Sequence, residues 1–132
     1  MIITAAFLIG RLILGIYWLQ TAYNHLVKGA GLVGYTQSKG VKSAGTAKLA
    51  VYGTGLLALI GGLSILLGYH PHYGIAALVI FLLGVSFKIH DYWNVQDPMA
   101  KMNERINFMK NVALIGAILA MAAIAEPWAF SI

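Results

Sequence analysis

The eight residues Phe87-Lys88-Ile89-His90-Asp91-Tyr92-Trp93-Asn94 bring a cation, an imidazole, a carboxylate, aromatic rings and an amide into one short stretch. At helical spacing, Gly84, Lys88 and Asp91 share one side, and Phe87, His90 and Asn94 line the adjacent stripe. Lys88 and Asp91 are then placed to pair, and His90 to move a proton or ligate a metal beside Asp91. Against this stands a plain interfacial belt: Tyr92 and Trp93 are residue types that settle at headgroup level, and a lysine can snorkel to water.

A second polar stripe follows in Asn103, Asn107, Lys110, Asn111 and Leu114, again at helical spacing. It predicts a polar pocket between two helices, closed by Asp91 and Lys110; its bland alternative is hydrogen-bonded glue between helices. Arg11, about eight residues into the first apolar run, is either an anion or cofactor anchor or a guanidinium snorkelling to the near interface. The candidate ligand-binding set is Arg11, Lys88, His90, Asp91, Trp93, Asn94, Asn107, Lys110 and Asn111.

Other chemistry finds little support. His25 and His90 at two helix ends suggest a haem only weakly, and His70 and His72 read as a solvated turn. No phosphate loop, nucleophile–base constellation or zincin motif is present, so no catalytic residue, metal site or intrinsic cofactor is assigned. Cysteine is absent, which removes disulfides, thiolate catalysis and Cys-ligated metals.

These residues need elements to hold them, and the composition says in which solvent. Of 132 residues, 60 % are apolar and only 10 % charged, against about 45–50 % and about 25 % in soluble domains. So few charges cannot coat a soluble fold. The net charge of +5 is no nucleic-acid signature, because the nine Lys and Arg form no dense basic block.

A helix crosses the hydrocarbon in about 20 residues. Four runs qualify, roughly 3–23, 49–69, 73–93 and 106–125, and none alternates as a barrel strand would. Lipid leaves backbone amides no partner outside their own segment, so helices follow. The sequence predicts an all-α integral membrane protein, an up-down four-helix bundle, with residues 1–132 as one transmembrane domain. The first run is read as a retained span, since no basic residue precedes it and no cleavage site follows. The glycine- and lysine-rich connection after it has room for a short interfacial or re-entrant piece, and Pro98 marks a new helical turn in the third connection.

Lys28, Lys39, Lys42 and Lys48 lie in or beside the first connection, and Lys88, Lys101, Arg105 and Lys110 in or beside the third. By the positive-inside rule loops 24–48 and 94–105 face the cytoplasm, with the termini and the His70–His72 turn outside. Gly10 and Gly15 in the first run, and Gly53, Gly55, Gly61 and Gly62 in the second, predict close helix contacts.

Four segments carry a family resemblance: Gly10-Arg11-Leu12-Ile13-Leu14-Gly15, Gly61-Gly62-Leu63-Ser64-Ile65-Leu66-Leu67-Gly68-Tyr69, His90-Asp91-Tyr92-Trp93, and Phe108-Met109-Lys110-Asn111-Val112-Ala113-Leu114-Ile115-Gly116. Together, and in this order, they resemble the DoxX-type membrane proteins. The resemblance implies a four-helix protein of the inner (cytoplasmic) membrane, with relatives that are subunits of thiosulfate:quinone oxidoreductase or partners in membrane oxidoreductase and oxidative-stress complexes. Many members carry a glutamate before the paired glycines; here that position is Ala58, so Arg11 lacks that counter-ion.

The expected function is an accessory or anchor subunit of a membrane oxidoreductase or respiratory complex, binding a quinone or small anion near the cytoplasmic ends of the third and fourth helices. Electrons then come from a partner, since the chain carries no redox cofactor motif. The alternatives are a small transporter or lipid-binding protein and a purely structural subunit. Expected partners are membrane lipids and other membrane subunits or further copies of the chain, with no nucleic acid.

Overall fold

Each helix boundary has a local chemical cause. In the computed structural model, which describes residues 2–132, the elements are α1 (Ile2–Leu26), α2 (Gly29–Ser38), α3 (Ala44–Leu67), α4 (Pro71–Lys88), a 3₁₀ turn (Tyr92–Asn94) and α5 (Pro98–Met121). The Ser43 side chain accepts from the Thr46 amide and opens α3, as Asp97 accepts from the Ala100 amide at 2.7 Å to open α5. Such caps satisfy amides that the first turn leaves without partners. Gly68 closes α3 at φ +67°, and Pro71 starts α4 where a missing N–H costs nothing.

The structure is all-helical among the described residues, and three segments are long and apolar enough to cross a membrane: Ile2–Leu26, Ala44–Leu67 and Pro71–Asn94. The expected bundle had four helices; the structure has five, because α2 occupies the first connection. The expected fourth run begins at Pro98 rather than 106, and its polar first turns keep α5 outside the three apolar segments. The second run begins at Ala44, ahead of Lys48, since the Ser43 cap rather than the lysine sets its start.

The third run departs furthest from expectation. α4 stops at Lys88, so Lys88, His90, Asp91 and Asn94 do not share one helical wheel. The His90 amide reaches back to the Val85 carbonyl, and the Asn94 amide bonds the Asp91 carbonyl at 2.9 Å. The Asn94 side-chain amide also donates to Asp91 Oδ2 at 2.9 Å. Short polar side chains that bond locally in this way compete with the helix and break it.

The long helices pack in the order α1, α3, α4, α5, with α2 laid on α3. Their core holds Trp18, Ala58, Ile65, Leu78, Phe81, Leu82 and Ile118. Trp18 is fully buried and stands edge-on to Phe81, ring centroids 5.2 Å apart. In lipid the hydrophobic effect does not press helices together, so close fit must. A Cβ on Gly61 would lie 2.3 Å from the Leu78 side chain, and one on Gly15 2.7 Å from Leu66 Cβ. Those two glycines set how near α3 comes to α4 and to α1.

Beyond α5 the chain returns across the start of the bundle. Trp128 packs edge-on against Phe7 at 5.2 Å, and the Ile132 amide bonds the Leu67 carbonyl. The first turns of α1, the C-terminal segment and the α3–α4 turn therefore share one end of the molecule, and the two lysine-bearing connections share the other.

Candidate functional site

Glu104 gathers three donors at the lysine-bearing end. Its Oε1 accepts from Lys39 Nζ at 2.5 Å and from the Tyr35 hydroxyl at 2.9 Å, and its Oε2 faces His90 Nδ1 at 2.7 Å. The partners come from different elements: Tyr35 lies on α2, Lys39 caps its end, His90 follows α4, and Glu104 sits on the first turns of α5. Burial works against the ionised carboxyl, but donors from Lys39, His90 and Tyr35 outweigh it and hold Glu104 down at about 2. Burial, then Glu104, raises the Tyr35 phenol above its ordinary range. Burial opposes the Lys39 shift, yet the bond to Glu104 leaves its ammonium raised.

Beside this cluster lies a cavity of about 450 Å³. Its wall is mostly apolar, with Leu32 and Val41 on the α2 side, Val51 on α3, and Phe81 and Val85 on α4; its polar members are His25, Tyr35, Thr36, Thr54, Lys88 and His90. Concave apolar sites with a few convergent polar groups are where proteins hold small molecules. α2 forms one wall, and its position is fixed twice: Val33 packs on Ala47 and Val51, and Tyr35 and Lys39 bind Glu104.

Both histidines are oriented by Nδ1. His25 Nδ1 lies 3.1 Å from the Val51 carbonyl and 3.0 Å from Thr54 Oγ1. A carbonyl only accepts, so this nitrogen carries the proton, and His90 Nδ1 must likewise donate to a carboxylate. No group of three or more His, Cys, Asp or Glu with metal-binding geometry exists among the described residues.

The predicted residues divide sharply. Lys88 and His90 line the cavity. Asp91 and Asn94 are bonded to each other, and Lys110 Nζ donates to Asn107 at 3.2 Å on an exposed face. Neither Asp91 nor Lys110 lines the cavity, and no Lys88–Asp91 ion pair exists among the described residues. Trp93 packs on Phe108 at 5.7 Å, as an interfacial aromatic would. Asn111 is buried on α5, in line with Glu104 and Ile118 at seven-residue intervals.

Arg11 is neither a free anchor nor a snorkelling cation. It is 3 % exposed, and its Nη1 and Nη2 donate to the carbonyls of Ala129 and Phe130 at 2.7 and 3.0 Å. Backbone carbonyls of the returning C-terminal segment stand where a carboxylate was sought.

Sequence reading missed Glu104 and His25 as a cavity residue; it allowed a short piece in the first connection, where α2 lies, but not its role as a wall. One signal was available for the first: the chain has four acidic residues against nine Lys and Arg, so a carboxylate beside a lysine-rich loop attracts partners.

These features define an all-helical protein with membrane-spanning apolar helices and an apolar cavity at one end. The DoxX family model matches residues 6–91, from α1 through His90 to Asp91, and the chain belongs to the DoxX family. No curated protein and no solved structure matches it.

Proposed function

We propose that the chain is an accessory or anchor subunit of an oxidoreductase or respiratory complex in the cytoplasmic membrane, and that its cavity binds a quinone-type ring compound. In this reading residues 1–132 form one transmembrane domain, and the long helices α1, α3, α4 and α5 cross the membrane up and down. The lysine-bearing end faces the cytoplasm, as the sorting of its cations favours. Lipids and other membrane subunits, or further copies of the chain, cover its apolar faces.

The observation that carries the reading is the cavity of about 450 Å³. A ring with an apolar tail needs a greasy slot and a few polar atoms at one end, and His25, His90 and Lys88 stand beside such a wall. The small anion considered alongside a quinone is less favoured, since Arg11 is occupied by backbone carbonyls.

Gentle purification from native membranes, with mass spectrometry of co-purifying proteins, lipids and quinones, tests this. Recovery with a dehydrogenase or respiratory complex is expected. Recovery alone, without quinone or redox partner, contradicts it.

A second reading, a transporter or lipid-binding protein, draws on one further feature. A second apolar cavity of about 370 Å³ lies near the α3–α4 turn, lined by Leu63, Leu67, Tyr69 and Tyr73 among others. Solute flux in liposomes favours that reading. The purely structural alternative expects His90→Gln with Asp91→Asn to leave the host complex fully active.

A further inference from the structure

The cavity's polar atoms are of unequal kinds. The His25 and His90 Nδ1 atoms are both engaged, with Val51 and Thr54 and with Glu104. Each ring's Nε2 has no protein partner among the described residues. In a neutral imidazole with the proton on Nδ1, Nε2 is a lone-pair acceptor.

The hydroxyls show the same bias. Tyr35 gives its O–H to Glu104, and Thr54 gives its own to the Ala50 and Val51 carbonyls. What these residues leave for a ligand is acceptor capacity. The groups left to donate are Lys88, exposed at the mouth, and the Thr36 hydroxyl. A dione offers only acceptors and could use Lys88 and Thr36 alone, whereas a ring with hydroxyls can also donate to the acceptors that line the wall. Leaving buried acceptors unpaired is what makes such a mismatch costly.

We propose that the cavity selects the hydroxyl-bearing form of its ring ligand, a hydroquinone or related diphenol, over the corresponding dione, with His25 Nε2 accepting from a hydroxyl. This rests on the proposed ring-binding role and specifies its ligand.

The test compares two probes on the whole protein in lipid nanodiscs under anaerobic conditions: a decyl-substituted benzoquinone and the same compound reduced to its hydroquinone. The reduced probe should bind about tenfold tighter, roughly what one hydrogen bond exchanged for a mismatch confers. His→Asn keeps an amide donor near the Nδ1 position and deletes Nε2. His25→Asn should therefore bring the ratio toward one with the helical spectrum unchanged. Equal binding of the two forms, or tighter binding of the dione, overturns the selection and leaves ring binding intact. Binding of neither overturns ring binding itself.

Discussion

His90 Nδ1 and Glu104 Oε2 stand 2.7 Å apart, joining the segment that leaves α4 to the first turns of α5. The other oxygen of Glu104 holds α2 through Tyr35 and Lys39. One carboxylate thus fixes the α2 wall of the cavity and the tautomer of a histidine that lines it. Among the chain's few acidic residues, it is the one whose loss should be felt furthest.

Glu104→Gln removes the charge but keeps the shape. It leaves Lys39 with a partly buried ammonium facing a neutral amide, a loss of about 1–3 kcal/mol. Hydrogen exchange should show α2 amides opening faster while the middle of α3 keeps its protection. Unchanged exchange in α2 would mean that the carboxylate does not hold the wall.

The pH dependence follows from the same group. The Glu104 carboxyl is lower in the folded protein, about 2 against the ordinary 4.5. The folded state therefore binds fewer protons than the unfolded chain between these values, so stability rises as pH rises through this range and falls as pH falls. The contribution is complete above about pH 4.5 and is lost as pH drops toward 2. Melting in detergent across this window should decline more steeply for the parent than for Glu104→Gln. Parallel curves would refute the assignment.

How far the sequence foretold this depends on the range of the interaction. Apolar runs and low charge announce helices in lipid because they act locally, and the sorted lysines foretold which connections share an end. The end of α4 was misread because apolar and aromatic residues run on to Trp93, whereas the Asp91–Asn94 pair ends the helix. The polar stripe on α5 was displaced by one residue, from Asn103 to Glu104. Choosing between them needs the partners: Tyr35 lies 69 positions away and Lys39 65. The acceptors for Arg11 are backbone carbonyls more than 100 positions on, which no residue type reveals.

Arg11 should act on the C-terminal segment rather than on a ligand. Arg11→Lys replaces a planar fork that serves two carbonyls with a single ammonium. A loss of about 1–3 kcal/mol in local stability is expected. It should appear as faster exchange at the Ser131 and Ile132 amides and easier cleavage after Trp128. Ring binding should be retained; its loss would return Arg11 to the site.

Two glycines of α1 should behave oppositely. A Cβ on Gly15 would meet Leu66 Cβ at 2.7 Å and its Cα at 3.0 Å, whereas one on Gly10 meets nothing within 4 Å. Gly15→Ala should destabilise the α1–α3 contact by about 1–3 kcal/mol, as overpacking does. Gly10→Ala should be neutral or stabilise by up to about 1 kcal/mol through helix propensity. Thermal unfolding of both variants decides it, and equal effects would contradict the packing described.

The most direct measurement fills the cavity. Gly84 lines it, and a Cβ added there has no neighbouring atom within 4 Å, so Gly84→Leu should reach into the space with little disturbance of the helix backbone. Titration of parent and variant in nanodiscs with the decyl-substituted hydroquinone should give saturable one-to-one binding to the parent and at least about tenfold weaker binding to the variant, at equal melting temperature. Equal affinity in both would place the ligand elsewhere and contradict the cavity as the site.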